Sequence, residues 1–268
     1  MIAVSLMLLN FGGSALEIRE SGSGPAVLLL HGYPLDGAMW SGVARVLMTG
    51  FRVIKPDLPG HGENPVPAPS SLEFHADFVE AILAQLPGPV GMAGFSMGGY
   101  VALALMKRRP EKIRALALVD SRAGADDAAG KARREEGIAL VHAQGVEAIA
   151  QAMVPKLLSP EGLKKPDLVE RLTRIIKRQK AETVAADLAA MRDREDRTGL
   201  LPSVGVPALM IVGEQDILTP PADSQAMAAA VPGARLVTIQ AAGHLAPMER
   251  PRATAAALGD FFASALAS

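Results

Sequence analysis

The chain has 268 residues, of which 49% are hydrophobic and 21% charged, and a formal net charge of -1. That composition is globular and not disordered, with length enough for a sizeable core, and the balanced charge speaks against nucleic acid or an anionic membrane as partner. There is no cysteine, which excludes disulfides, thiolate zinc sites and cysteine nucleophiles and fits a reducing compartment.

The first ten residues, "MIAVSLMLLN", are apolar but carry no basic flank, since the first Lys or Arg is Arg19. They read as a strand rather than a secretion signal, paired through "NFGGS" with the alternating "SALEIRE". A cytoplasmic location follows as the expectation. No stretch reads as a membrane-spanning helix.

Strand-like and helix-like segments then alternate. "AVLLLHG" (26–32) is a buried strand, and "DGAMWSGVARVLM" (36–48) a helix with Asp36 as N-cap. "FRVIKPD" (51–57) is a second apolar run. "SSLEFHADFVEAILAQL" (70–86) has Ser70 and Glu73 at capping-box spacing. "GPVGMAGF" (88–95) is a strand, "MGGYVALALMKRR" (97–109) a helix stopped at Pro110, and "IRALALVD" (113–120) another strand. Residues 122–203 hold charged amphipathic segments and no convincing strand. The alternation then resumes with strand 206–216, helix 219–231 capped by Thr219 with Pro220 at N1, strand 234–240 and helix 250–266. This pattern predicts an α/β fold: a mostly parallel, doubly wound sheet with helices on both faces. Its core is 1–121 and 204–268, and 122–203 is an inserted helical segment.

"GFSMGG" (94–99) lies between a strand and a helix. Gly94 and Gly98 flank Ser96 in a G-x-S-x-G pattern, which suits a turn too sharp for side chains, with the hydroxyl held above the sheet edge. A flexible linker would not be followed by the apolar helix "YVALALMK". Serine needs a base, and the base needs an orienting group. In an open α/β sheet both come from loops at the carboxyl ends of strands. His244 in "AAGHLAPME" is the candidate base. Asp216 in "IVGEQD" is the candidate acid, with Asp120 as its rival. Among the other histidines, His31 shapes a turn, His61 lies in a Gly-Pro loop and His75 is mid-helix. A tetrahedral oxyanion needs N–H donors. These are expected from Met97, after the serine, and from Tyr33 in "HGYP", where Gly32 permits close approach.

In "LLLHGYP", "VIKPDLPGHGEN", "GFSMGGYVAL", "IVGEQD" and "AGHLAPMERP", in that order, the chain resembles the α/β-hydrolase superfamily over nearly its whole length. The resemblance implies Ser96, Asp216 and His244 as a catalytic triad, Tyr33 and Met97 as oxyanion donors, and 122–203 as a helical cap over the site. "DSRAGAD" looks like the small bacterial carboxylesterases and enol-lactonases. The implied activity is a serine carboxylesterase or lactonase acting through an acyl-enzyme on a small or medium uncharged ester or lactone. Water is the co-substrate, and neither cofactor nor metal is required. Phe95, His142, Met153, Leu157, Leu158 and Met191 are candidate pocket residues, although helix packing accounts for the same apolar spacing. Perhydrolysis or acyl transfer by the same triad, and a ligand-binding receptor on a hydrolase scaffold, are the alternatives.

Overall fold

The structure, a computed structural model, describes residues 4–69 and 71–267. Eight strands form one sheet: β1 (Val4–Phe11), β2 (Ser14–Ser21), β3 (Ala26–Leu30), β4 (Arg52–Ile54), β5 (Val90–Phe95), β6 (Ile113–Val119), β7 (Ala208–Gly213) and β8 (Arg235–Ile239). Their spatial order is β1-β2-β4-β3-β5-β6-β7-β8, antiparallel from β1 to β4 and parallel from there on. β1 and β2 form the expected hairpin, turning at Gly12 and Gly13, whose φ values are 58° and 79°. β5 and β7 are buried throughout, and such strands read as unbroken apolar runs because both faces are covered. After β3 the chain crosses to β4 on one side and then to β5 on the other. The carboxyl ends of β3 and β5 therefore flank a topological switch point, where α/β sheets open a ligand crevice.

The helices are α1 (Ser41–Leu47), α2 (Leu72–Ala84), α3 (Met97–Arg108), α4 (Ala128–Leu157), α5 (Pro160–Leu163), α6 (Pro166–Lys177), α7 (Ala181–Arg192), α8 (Pro221–Ala230), α9 (Ala246–Glu249) and α10 (Pro251–Leu266). The expected helix at 36–48 begins as a 3-10 turn, Gly37–Trp40, whose first N–H groups are served by Asp36 accepting from Ala38 at 2.9 Å. Ser70 lies outside the described residues. The N-cap of α2 is Ser71, which accepts from the Phe74 N–H. Thr219 does not cap α8. That helix has Pro220 at its N-cap, and the Thr219 hydroxyl is used elsewhere.

Between β6 and β7 the described chain is helical (α4 to α7 and a 3-10 turn), with no strand among the described residues. α4 is, by length and composition alone, long and apolar enough to cross a membrane, contrary to the sequence reading. Gly145, at φ 74° and ψ -175°, breaks it into two segments at a kink. α6 and α7 are anchored on the sheet layer by buried polar contacts. Asp187 accepts from His61 at 2.7 Å and His75 at 2.9 Å, and Thr183 donates to Gly60 O at 3.1 Å. Arg178 makes two bonds to Asp36, at 2.6 and 2.5 Å.

Candidate active site

Ser96 sits between β5 and α3 with φ 49° and ψ -114°, a strained backbone for a residue with a side chain. The glycines around it make this turn possible. A Cβ on Gly94 would come within 2.3 Å of Gly98 O, and one on Gly98 within 2.5 Å of Leu30 O. The turn is held by Ser96 N–H donating to Val119 O at 2.9 Å and by the Ser121 hydroxyl donating to Ser96 O at 2.8 Å. Met97 is the first residue of α3, so its N–H is one of the donors that a helix start leaves without an intrahelical acceptor.

The loop after β3 lies directly against this turn. A Cβ on Gly32 would meet Phe95 O at 2.8 Å and Ser96 Cβ at 3.0 Å. Only glycine lets the backbone come this near, and it brings Tyr33 beside the serine. The Tyr33–Pro34 bond is cis. His31 shapes this loop: its Nε2 accepts from the Leu58 N–H at 2.9 Å, and burial lowers its pKa to about 3.

His244 follows β8 and joins the other two candidates. Its Nε2 is 3.0 Å from Ser96 Oγ, and its Nδ1 is 2.8 Å from Asp216 Oδ2. Asp216 Oδ2 can only accept, so Nδ1 carries the proton and Nε2 is left to accept from the serine hydroxyl. Asp216 also accepts from the N–H groups of Leu218 (2.8 Å) and Thr219 (3.0 Å) and from the Thr219 hydroxyl (2.5 Å). Burial opposes its ionisation, but the charge and hydrogen bond of His244, with the Thr219 bonds, outweigh it and hold its pKa below the usual carboxylate value.

Asp120, the rival acid, is fully buried and accepts from the Gly213 N–H at 2.7 Å. Burial, followed by the nearby Asp216 charge, pushes its pKa well above the ordinary value. It ties the end of β6 to the end of β7, and among the described residues it makes no hydrogen bond to His244.

A cavity of about 580 Å³ opens over Ser96 and His244. Its walls include Tyr33, Met153, Leu157 and Met191. Three expected pocket residues are elsewhere. Phe95 is fully buried and does not line the cavity; its ring lies 5.1 Å from that of His244 and packs against the imidazole. His142 is exposed on α4 and is not among the residues that line the cavity, to which the helix contributes Leu140, Ile149 and Met153 together with Arg133, Arg134 and Lys156. Leu158 is buried outside the cavity.

Sequence reading missed two residues that position the site. Thr219 braces Asp216 from three residues downstream, a local spacing that suits a helix cap equally well. Glu249 accepts from the Gly243 N–H at 2.7 Å and from the Ser159 N–H at 3.0 Å and hydroxyl at 2.5 Å. It thereby ties the His244 loop to the start of α5. Among the described residues, one histidine–carboxylate group has ligand-like spacing: His61, His75 and Asp187. Its nitrogen–oxygen distances of 2.7 and 2.9 Å are those of hydrogen bonds, which already satisfy the carboxylate.

The model of the alpha/beta hydrolase fold family matches residues 25–251. The chain belongs to that family. It is 30% identical over 239 residues to a pimeloyl-[acyl-carrier protein] methyl ester esterase of Neisseria meningitidis, covering 88% of this chain and 92% of that one. A thermophilic esterase from Thermogutta terrifontis, solved with malate bound, superposes with TM-score 0.89 at 34% identity, over 97% of this chain and 99% of that one. The enol-lactonase from Burkholderia xenovorans LB400 superposes with TM-score 0.86 at 26% identity, over 96% and 99%.

Proposed function

We propose that this carboxylic-ester hydrolase cleaves small to medium esters or lactones through an acyl-enzyme on Ser96. The observation that supports this most is His244, which bridges Ser96 Oγ and the ionised Asp216 in the correct tautomer. Ser96 Oγ attacks the substrate carbonyl carbon as its proton passes to His244 Nε2. Asp216 stabilises the resulting imidazolium, and the N–H groups of Met97 and Tyr33 receive the oxyanion. Collapse expels the alkoxide, which takes the proton from His244. Water then attacks the acyl-enzyme, losing a proton to His244, which returns it to Ser96 Oγ.

Residues 122–203 act as the cap, since α4 and α7 supply cavity walls such as Met153, Leu157 and Met191. The meningococcal relative is named for a methyl ester and the Burkholderia protein for an enol-lactone, so both substrate classes belong in the first screen. The test is a series of p-nitrophenyl esters of rising acyl length with several lactones, using Ser96→Ala as control. Turnover by the wild type that Ser96→Ala loses supports the mechanism. Equal rates in both refute it.

A further inference from the structure

The charges around the cavity do not balance. The chain has a formal net charge of -1, yet the cavity is lined by Arg122, Arg133, Arg134 and Lys156 against only Asp126 and Glu136. Arg122 is neutralised by Asp223 at 3.0 Å. Asp126 is shared by two guanidiniums: its Oδ2 accepts from Arg134 Nε at 2.9 Å, and its Oδ1 pairs with Arg194 Nη1 at 2.8 Å. Asp126 is thus divided between two guanidiniums, with Asp196 near Arg194 as the other carboxylate, in a cleft whose low-dielectric walls strengthen the field of its charges.

The two arginines differ in what they have left to offer. Arg194 is almost wholly buried. It donates to Met191 O and Gly124 O, and its guanidinium lies 4.4 Å over the Tyr100 ring. Arg134 lines the cavity, its side chain 24% exposed, and is held by Asp126 through Nε. Among the described residues neither of its Nη groups has a protein acceptor. A planar fork, oriented by one bond with both Nη groups unspent, is the geometry that binds a carboxylate with two parallel hydrogen bonds. Arg133 and Lys156, exposed and unpaired among the described residues, add the same sign at the rim.

We propose that the substrate carries a carboxylate on a part remote from the scissile ester, and that Arg134 is the residue that binds it. This replaces the uncharged substrate expected from sequence and rests on the acyl-enzyme mechanism above. The substrate class is then the half-ester of a dicarboxylic acid or a carboxylated lactone. Hydrolysis of a half-ester at Ser96 would release a dicarboxylate and an alcohol.

The experiment compares methyl half-esters of linear dicarboxylic acids with methyl esters of monocarboxylic acids of equal chain length. Wild type, Arg134→Gln and Arg134→Lys are assayed by alcohol release. The wild type is expected to favour the half-ester of best-fitting length by about 10- to 100-fold in kcat/KM, the range of a charge-assisted contact. Arg134→Gln should lose that preference, its loss on the half-ester exceeding its loss on neutral esters by about the same 10- to 100-fold, and Arg134→Lys should restore part of it. A wild type that favours neutral esters, or an Arg134→Gln loss equal on both series, overturns the proposal. So does a preference that survives Arg134→Gln and is lost in Arg133→Gln or Lys156→Gln. Binding of the half-ester to Ser96→Ala by calorimetry separates the two layers. Tight, Arg134-dependent binding with no wild-type turnover would refute the mechanism and keep the subsite. Turnover without such binding would do the reverse.

Discussion

Glu249 accepts from the Gly243 N–H at 2.7 Å, immediately before His244, while its other oxygen holds Ser159 at the start of α5. On the other side of the histidine, Leu245 N–H donates to Leu157 O at 2.9 Å, and Leu157 is a cavity wall. The His244 loop is thus bound to the helical insertion on both flanks.

Glu249→Gln keeps one acceptor oxygen and turns the other into a donor that faces the Ser159 N–H. The His244 loop should shift slightly. We expect kcat to fall by about 10- to 100-fold with KM within about threefold, because a displacement near 1 Å is felt mainly in the reacting geometry. Steady-state kinetics check this, and a Tm measurement shows that the variant is folded. If kcat is unchanged in the folded variant, Glu249 does not position the base.

Met97→Pro removes one N–H at the first position of α3, where proline fits a helix. Helix content by circular dichroism should be retained. Loss of an oxyanion donor should lower kcat by about 10²- to 10³-fold. Met97→Leu keeps the N–H and is expected to stay within a few-fold of wild type.

Asp216→Asn and Asp120→Asn separate the two carboxyls. Asn at 216 cannot hold Nδ1–H of His244 in place while serving Thr219, and kcat should drop by several orders of magnitude, about 10⁴-fold in the related geometry of a serine protease. Asp120→Asn can still accept from the Gly213 N–H and should stay near wild-type kcat. The folded-state pKa of Asp120 is raised, so its carboxyl favours the fold below its unfolded pKa, and that contribution is lost as pH rises through the folded value. Asp120→Asn should therefore raise Tm at pH 8 but not in strong acid. A large activity loss in Asp120→Asn would make it the acid.

His61 reports its own charge through geometry. Its Nε2 faces Asp187 at 2.7 Å, and its Nδ1 faces Gln179 Oε1 at 3.3 Å. The Gln179 amide is fixed, since its oxygen accepts from Gly62 N–H and its nitrogen donates to Asp36 and Ile175 O. Both ring nitrogens therefore donate, and His61 is an imidazolium. Burial lowers its pKa, but the Asp187 charge and hydrogen bond outweigh that and raise it. A raised histidine stabilises the fold below its unfolded pKa, about 6.5, and that stability is lost as pH rises through the folded value. Asp187→Asn strands a buried cation and should cost about 3 to 5 kcal/mol by denaturant titration. In that variant the loss of stability with rising pH should vanish.

The alternation of strands and helices and the site's three side chains were legible because each is written locally. Gly94, Ser96 and Gly98 encode a turn that only they can make, and Asp216 and His244 sit directly past apolar runs. The pocket was less legible. Met153 and His142 lie on the same helix, and the kink at Gly145, together with the packing of α4 against α7, decides which of them meets the cavity. The role of Glu249 was invisible because it joins Gly243, six residues away, to Ser159, 90 residues away in sequence. Thr219 is ambiguous in sequence because capping a helix and bracing a carboxylate need the same hydroxyl at similar spacing.

The most direct test of the mechanism is to quench the enzyme during turnover of p-nitrophenyl acetate and map the acyl group by mass spectrometry. An acetyl adduct is expected on the peptide bearing Ser96, formed in a burst of p-nitrophenol and absent in Ser96→Ala and His244→Ala. Turnover that persists in Ser96→Ala, or an adduct on any other residue, would contradict the mechanism.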